Sequence, residues 1–123
     1  MKALIFLAHG SRREKSNREV FDMADAIRLP LASVFDSVDA AFLELVPPSL
    51  EETMDRLLGQ GVRSITIYPY FLNSGKHVDK DIPDIVDDFR ARYPDCEIEV
   101  DRHFGALDEV PQLIVNQLSG ANQ

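Results

Sequence analysis

Short apolar runs alternate four times with stretches of helical periodicity along this chain. Apolar runs rich in branched side chains are typical of strands buried on both faces, and apolar positions three and four apart are typical of the helices that cover them. The pattern predicts strands at residues 3–8, 38–44, 62–68 and 96–100. We therefore expect an α/β fold in three layers, a four-stranded parallel sheet with helices on both faces, and one domain over residues 1–123.

Each predicted strand is followed by a stretch with apolar residues on one helical face. A serine followed three positions later by glutamate is typical of a helix start, and glycine of a helix end. The expected boundaries are Ser16–Glu19 and Pro30 for the first helix, Pro48 or Ser49 and Gly59 or Gly61 for the second, the residue after His77 for the third, and residues 108–118 for the last. The fourth strand alternates apolar with acidic residues, which predicts an edge position, and the tail after Gly120 is predicted to fray.

Charge and composition exclude several classes of protein. With 45% hydrophobic residues the chain can build a core, and its net charge of -8 opposes binding to nucleic acid. The single cysteine, Cys96, excludes an internal disulfide, and its apolar phase predicts a small core residue. The N-terminal apolar run is too short to span a membrane and lacks the pattern of a secretory signal, so we expect a soluble cytoplasmic protein.

Two of the three histidines stand where strands are predicted to end. His9 closes the first strand and His77 closes the segment after the third, and the carboxyl ends of parallel strands meet at one edge of a sheet. Imidazole binds divalent transition metals and titrates near neutral pH, so the pair predicts a metal or proton-transfer site. A histidine bonded to a backbone group is the alternative. Gly10 permits a tight turn and Ser11 offers a hydroxyl beside a helix start, and both favour the site.

Other polar residues at the same edge extend this hypothesis. Glu44, after the second strand, is interpreted as a proton acceptor or as a balance for metal charge. The alternative is a carboxylate at the rim of the sheet, solvated or paired with Arg12 or Arg13. His103, after the predicted edge strand, is a weaker candidate because edge strands often leave their last side chains in water.

The segment before His77 has two parts. Tyr68–Leu72 is too apolar for an exposed connection and is predicted to form the wall of a pocket for a flat, largely apolar ligand. Asn73–Lys76 offers small hydrogen-bonding groups and one cation, although an ordinary loop before a helix has a similar composition. The string Ala8–Gly10 also resembles the Arg-His-Gly of histidine phosphatases. Alanine stands where their phosphate-holding arginine belongs, so a phosphoryl-transfer site is disfavoured.

Three strings of the sequence resemble the small, single-domain class II tetrapyrrole chelatases, which insert a divalent metal into sirohydrochlorin. The strings agree with that family in order and spacing over nearly the whole chain: Ala8–Arg12, Ala41–Glu44 followed by Pro47 or Pro48, and Pro69–Val78 with Asp81–Pro83. The resemblance implies a chelatase-like domain and a lyase that takes Co²⁺, Fe²⁺ or Ni²⁺ and sirohydrochlorin as substrates and releases two protons. Siroheme or cobalamin synthesis is the implied pathway.

The same resemblance implies roles for individual residues. His9 and His77 are expected to handle the metal, and Glu44 to assist catalysis. The residues expected to bind the carboxylates on the rim of the macrocycle are Ser11, Arg12, Asn73, Ser74, Gly75 and Lys76. The family has long forms with two such halves and short forms that pair, so a homodimer with no permanently bound cofactor is expected. A non-catalytic carrier of a tetrapyrrole or a metal on the same scaffold is the alternative.

Overall fold

A computed structural model describes residues 1–120 and, for His77, the backbone alone. Four strands form its sheet: β1 Lys2–Ala8, β2 Ser37–Phe42, β3 Ser64–Pro69 and β4 Glu97–Val100. They are parallel, and their order is β2-β1-β3-β4, so β1 and β3 are central. The edge position of β4 confirms the prediction from its alternation. The tail predicted to fray, residues 121–123, lies outside the described residues.

Helices and short turns connect the strands. They are α1 Glu14–Arg28, α2 Leu50–Gly59, a π-helical turn at His77–Asp81, α3 Ile82–Arg92, a 3₁₀ turn at Phe104–Ala106 and α4 Glu109–Ser119. No helix within residues 1–120 combines the length and the apolar character needed to cross a membrane.

Helices cover both faces of the sheet, which confirms the predicted three layers. Side chains alternate across β1, because successive residues of a strand point to opposite faces. Ile5 packs in the core under α2 and α3, whereas its neighbour Phe6 packs in the core under α1. Strand β1 is therefore buried on two sides from Ala3 to Ala8, as its continuous apolar sequence predicts, whereas β3 alternates buried with partly buried residues.

The ends of α2 lie where the sequence predicts them. Ser49 caps the first turn, because its hydroxyl accepts from the Glu52 amide while the Glu52 carboxylate accepts from the Ser49 amide, each at 3.0 Å. These two bonds lower the pKa of the Glu52 carboxyl. Gly61 ends the helix with φ of 91°, and the Val62 amide donates back to the Leu57 carbonyl at 3.1 Å.

The predicted start of α1 is wrong. The helix begins at Glu14, and the residue before it, Arg13, makes no side-chain cap. Ser16 and Asn17 lie inside the first turn, where their amides donate to the Arg13 carbonyl at 3.1 and 3.3 Å. A fixed turn before the helix therefore sets its start, and the capping-box spacing of Ser16 and Glu19 goes unused.

Strand β2 ends two residues earlier than predicted, at Phe42 rather than Glu44. The chain still follows β1 a little further, because the Leu43 amide donates to the Ala8 carbonyl at 3.0 Å. Leu45 then takes φ of 71°, a left-handed conformation uncommon for a bulky side chain. The change of direction leaves Glu44 beside the end of β1 rather than within the sheet.

Cys96 and α4 differ from their sequence-based descriptions in how deeply they pack. Cys96 is only partly buried and borders the core, and that burial raises the pKa of its thiol. Helix α4 lies within one residue of its predicted bounds, yet none of its residues is buried. Its apolar side chains therefore face outward.

Candidate functional site

A cleft of about 400 Å³ opens at the carboxyl ends of the two central strands. From β1 the chain crosses to β2 on one side, and it later returns to build β3 and β4 on the other. Such a reversal leaves a crevice between the two central strands, where open α/β sheets bind ligands. The residues that line it are His9, Tyr70, Phe71, Leu72, Asn73, Ser74, Gly75, Lys76 and Val78.

His9 is held at this edge through its backbone and its ring. The Glu44 amide donates to the His9 carbonyl at 3.0 Å, which ties the end of β1 to the segment after β2. The exposed imidazole meets the edge of the Phe71 ring, with the two centroids 4.7 Å apart and the planes at 61°. Phe71 is itself buried, so the imidazole packs against a firm apolar wall.

Gly10 permits this close approach of two loops. It takes φ of 96°, and a Cβ at this position would overlap the Glu44 carbonyl oxygen and lie 3.1 Å from the Glu44 carbonyl carbon. Both the conformation and the space therefore require glycine. The tight turn that the sequence predicts after His9 is present, and it has a tertiary partner.

Ser11 and Arg12, expected on the rim of the macrocycle, lie beside the cleft and are not among the residues that line it. The Ser11 hydroxyl accepts from the Arg13 amide at 3.0 Å. The Asn17 carboxamide bonds both backbone groups of Ser11, accepting from its amide at 3.0 Å and donating to its carbonyl at 2.8 Å. Arg12 is exposed at the same turn.

The segment after β3 brings the other predicted residues together. Asn73, Ser74, Gly75 and Lys76 all line the cleft and all are exposed, as a loop open to a ligand would be. Behind them, Tyr70 to Leu72 form the apolar wall that the sequence predicts. The other two predicted wall residues do not line the cleft, since Pro69 is buried at the end of β3 and Tyr68 lines a groove on the α1 face of the sheet.

His77 opens the π-helical turn that leads into α3. The Asp79 amide donates to the Gly75 carbonyl at 2.8 Å, so this turn begins within the cleft loop itself. Single π-helical turns are rare and occur frequently at functional sites. The predicted helix start just after His77 is thus confirmed, with an irregular first turn.

Glu44 borders a separate hollow of about 300 Å³, together with Asp81 and Asp84 of the third helical segment. Its carboxylate is exposed, and its backbone contacts the His9 loop as described above. His103 stands just before the 3₁₀ turn and does not line the cleft. Among the side chains that the structure describes, no group of three or more His, Cys, Asp or Glu residues is arranged to hold a metal ion.

Two residues at this edge have roles that the sequence does not predict. Asn17 falls inside the predicted cap Ser16–Glu19, whereas its carboxamide organises the turn after His9. Gly105 lies against the cleft wall, where its amide donates to the Phe71 carbonyl at 2.8 Å. Asn17 and Ser11 lie six residues apart, a spacing that matches no standard capping motif, and Gly105 and Phe71 belong to distant segments of the chain.

The model of the CbiX family matches residues 3–121. The chain belongs to the CbiX family. A crystal structure of a protein named as a cobalamin (vitamin B12) biosynthesis CbiX protein, from Marinobacter aquaeolei VT8, is similar over 98% of this chain and 97% of that one, with 26% identity and a TM-score of 0.79. The sirohydrochlorin chelatase SirB from Bacillus subtilis subspecies spizizenii, solved with cobalt, shares the fold with a TM-score of 0.83 at 24% identity.

Relatives of this chain carry chelatase names. A sirohydrochlorin cobaltochelatase of Methanococcus aeolicus is 34% identical over 86 residues, which are 70% of this chain and 59% of the relative. A sirohydrochlorin ferrochelatase of Bacillus subtilis (strain 168) is 25% identical over 95% of this chain and 44% of its own length. The chain thus spans about half the length of the curated relatives it matches.

Proposed function

We propose that this protein is a sirohydrochlorin chelatase that inserts Co²⁺, Fe²⁺ or Ni²⁺ into the macrocycle with release of two protons, in siroheme or cobalamin synthesis. It acts as a single domain over residues 1–123, in the cytoplasm, with the metal as substrate and no resident cofactor. The observation that carries the proposal is the cleft between β1 and β3, where an exposed imidazole shares one cavity with an exposed polar loop. Membership of the CbiX family and the names of the relatives support it.

In this proposal His9 and His77 present the metal ion to the macrocycle. Neutral imidazoles bind first-row divalent ions without the closed geometry of a thiolate site, so the ion can be handed on. Phe71 packs edge-on against the His9 ring, and His9 lines the cleft. The apolar surface of residues 70–72 suits the flat face of a tetrapyrrole.

The remaining residues are assigned to proton acceptance and to binding the carboxylates on the rim of the macrocycle. Insertion removes two protons from the ring nitrogens, and Glu44 beside the His9 loop is proposed to accept one, together with the imidazoles. Asn73, Ser74, Gly75 and Lys76 are proposed to bind rim carboxylates, Lys76 through its charge and the others by hydrogen bonds. Ser11 and Arg12 stand next to the cleft and extend this polar rim.

Absorbance during metal insertion tests the proposal directly. The purified protein is mixed with sirohydrochlorin and cobalt, iron or nickel at fixed free metal, and the rate is compared with the protein-free rate. We expect acceleration with at least one metal, and loss of most of it in His9→Ala and in His77→Ala. His103→Ala is the matched control, because it removes an imidazole that does not line the cleft.

Two outcomes overturn the assignment. Tight binding of sirohydrochlorin without acceleration identifies a carrier rather than an enzyme. Full activity in both His9→Ala and His77→Ala shows that the chemistry lies elsewhere. Glu44→Gln is expected to slow turnover less completely than either, and an unchanged rate removes Glu44 from the mechanism.

The proposal includes a homodimer, and α4 is the surface that supports it. Leu113, Ile114, Val115 and Leu118 are 51% to 80% exposed. Glu109 is the only charged residue of α4, whereas α1 carries seven. Two copies of a chain with a net charge of -8 repel each other, so an apolar helix with a single charged residue is the surface where they can meet.

The same chain offers a complementary surface. A groove of about 420 Å³ lies on the α1 face of the sheet, lined by apolar side chains that include Phe6, Ile27, Tyr68 and Phe104. We place α4 of a second copy in this groove. A two-fold axis then makes the contact twice, since each copy gives a helix and receives one.

Light scattering coupled to size exclusion tests this arrangement. We expect the wild-type protein at twice the mass of one chain, and Ile114→Glu and Leu118→Glu at the mass of one. Leu29→Glu is the control, because Leu29 is as exposed as Leu118 but lies outside the groove and α4. A monomeric wild-type protein, or a dimer that survives both α4 variants, contradicts the proposed interface.

A further inference from the structure

Gly105, in the 3₁₀ turn after β4, makes a close approach to the cleft wall. Its amide donates to the Phe71 carbonyl at 2.8 Å. A Cβ at this position would overlap the carbonyl oxygen of Leu72 and lie 2.9 Å from its Cα. These are backbone atoms, which cannot turn aside as a side chain could. The close approach, rather than a left-handed conformation, requires glycine here.

The segment that Gly105 touches carries the ring that contacts His9. Phe71 is 6% exposed, and its ring meets the His9 imidazole with the centroids 4.7 Å apart. A second contact joins the same two segments, since Phe104 packs edge-on against Tyr70 with the centroids 5.6 Å apart. A displacement of the 3₁₀ turn is therefore transmitted to residues 70–72 and through Phe71 to His9.

We propose that Gly105 is a positioning residue, which sets the place of the Phe71 ring and through it the orientation of the His9 imidazole. Gly105 touches neither the cleft nor the reacting atoms, so its effect is indirect. An added methyl group must push the Leu72 backbone away and carry Phe71 with it. The consequence for turnover rests on the proposed function, whereas the consequence for the His9 ring does not.

The first test is the NMR signal of the Hε1 proton of His9, one of the two carbon-bound protons of the ring, assigned by its loss in His9→Ala. Aromatic rings shift nearby protons strongly, so this signal reports the Phe71–His9 contact without any activity. We expect Gly105→Ala to move the signal and Phe71→Leu, which removes the ring, to move it as well. Gly59→Ala is the matched control, since a Cβ there meets nothing within 4 Å; its His9 signal should stay in place.

The second test is turnover. A catalytic group displaced by about an ångström loses about 10- to 100-fold in rate, so we expect a fall of that order in kcat for Gly105→Ala, with KM for sirohydrochlorin changed less than kcat. Phe71→Leu should give a similar fall. Because both act through one ring, Gly105→Ala in the Phe71→Leu background should have little further effect on kcat.

Several results separate the inference from the proposed function. A wild-type protein that does not accelerate insertion refutes the function and leaves the NMR test intact. A folded Gly105→Ala protein with the wild-type His9 signal refutes the positioning role, as does full additivity of the two substitutions. If Gly105→Ala does not fold, Phe71→Leu becomes the test. An unchanged His9 signal and an unchanged kcat in Phe71→Leu would show that the Phe71 ring does not orient the His9 imidazole, and would refute the inference.

Discussion

Two loops meet at the same edge of the sheet and are held in opposite ways. The β1–α1 loop, residues 9–13, is held by one backbone bond, from the Glu44 amide to the His9 carbonyl, and by the Asn17 carboxamide, which bonds both backbone groups of Ser11. The β3–α3 loop, residues 70–76, is bonded near its ends, where the Tyr70 amide donates to β1 at 2.7 Å and the Gly75 carbonyl accepts at 2.8 Å. The side chains from Leu72 to Lys76 are exposed.

This difference matches the two tasks proposed for this site. An imidazole that presents a metal must keep its geometry within a few tenths of an ångström, so it needs a loop with little freedom. Groups that bind carboxylates around a large ring can adapt, and exposed polar groups on a less constrained loop do so at small cost. Rigidity in the first loop and freedom in the second are therefore both useful.

Substitution of Gly10 by Ala breaks the rigid loop and has the largest expected effect. It combines a left-handed φ with an overlap against the Glu44 carbonyl, so we expect a loss of about 2–4 kcal/mol in the free energy of unfolding and of most activity. Urea denaturation measures the free energy of unfolding. Gly61→Ala is the matched control, since Gly61 has a similar φ of 91° but open space around it, and should lose only about 1 kcal/mol. Equal losses would show that the contact with Glu44 contributes nothing.

Loss of the Asn17 carboxamide loosens the same loop more gently. Asn17→Ala removes two hydrogen bonds to the Ser11 backbone, each worth about 0.5–1.5 kcal/mol, so we expect a loss of about 1–3 kcal/mol in the same experiment. Asn17→Asp keeps the acceptor and removes the donor. Its free energy of unfolding should therefore lie between those of the wild type and of Asn17→Ala. A wild-type free energy in Asn17→Ala would place the rigidity of the loop elsewhere.

In the freer loop, Lys76→Ala should act on the substrate and not on the fold. The side chain is exposed, so its interaction with a rim carboxylate is worth about 0.2–1 kcal/mol, which raises KM for sirohydrochlorin by up to about fivefold at low salt. The effect should shrink as salt rises. Lys15→Ala, an exposed lysine of α1, is the control. A KM equal to wild type at low salt removes Lys76 from the binding loop.

Gly75→Ala should have the smallest effect and completes the comparison. A Cβ there meets nothing within 4 Å, and the backbone does not need a left-handed φ. Alanine then restricts the unfolded chain, so the change should be a gain of up to about 1 kcal/mol. A marked loss of stability would mean that this loop is as constrained as the one after β1.

Predictions from the sequence succeed where the signal is local. The Ser49 cap and the Gly61 helix end follow from residue types and spacing, and both are found where expected. Ser16 and Glu19 have the same spacing as a cap, yet the helix starts earlier because the turn before it is held by Asn17. The hydrogen bonds that hold this turn outweigh a capping preference worth only about 1 kcal/mol.

By itself the sequence determined the four strands and the helices between them, the edge position of β4, and the presence of His9 and of residues 73–76 after strands, because periodicity and turn residues are local properties. Only the tertiary structure decided that β1 and β3 are neighbours, which puts His9 and the loop after β3 in one cleft. It also decided that Gly10 and Gly105 each meet a distant carbonyl group. Such contacts depend on the order and packing of segments far apart in the chain, and no short pattern of residues specifies that order.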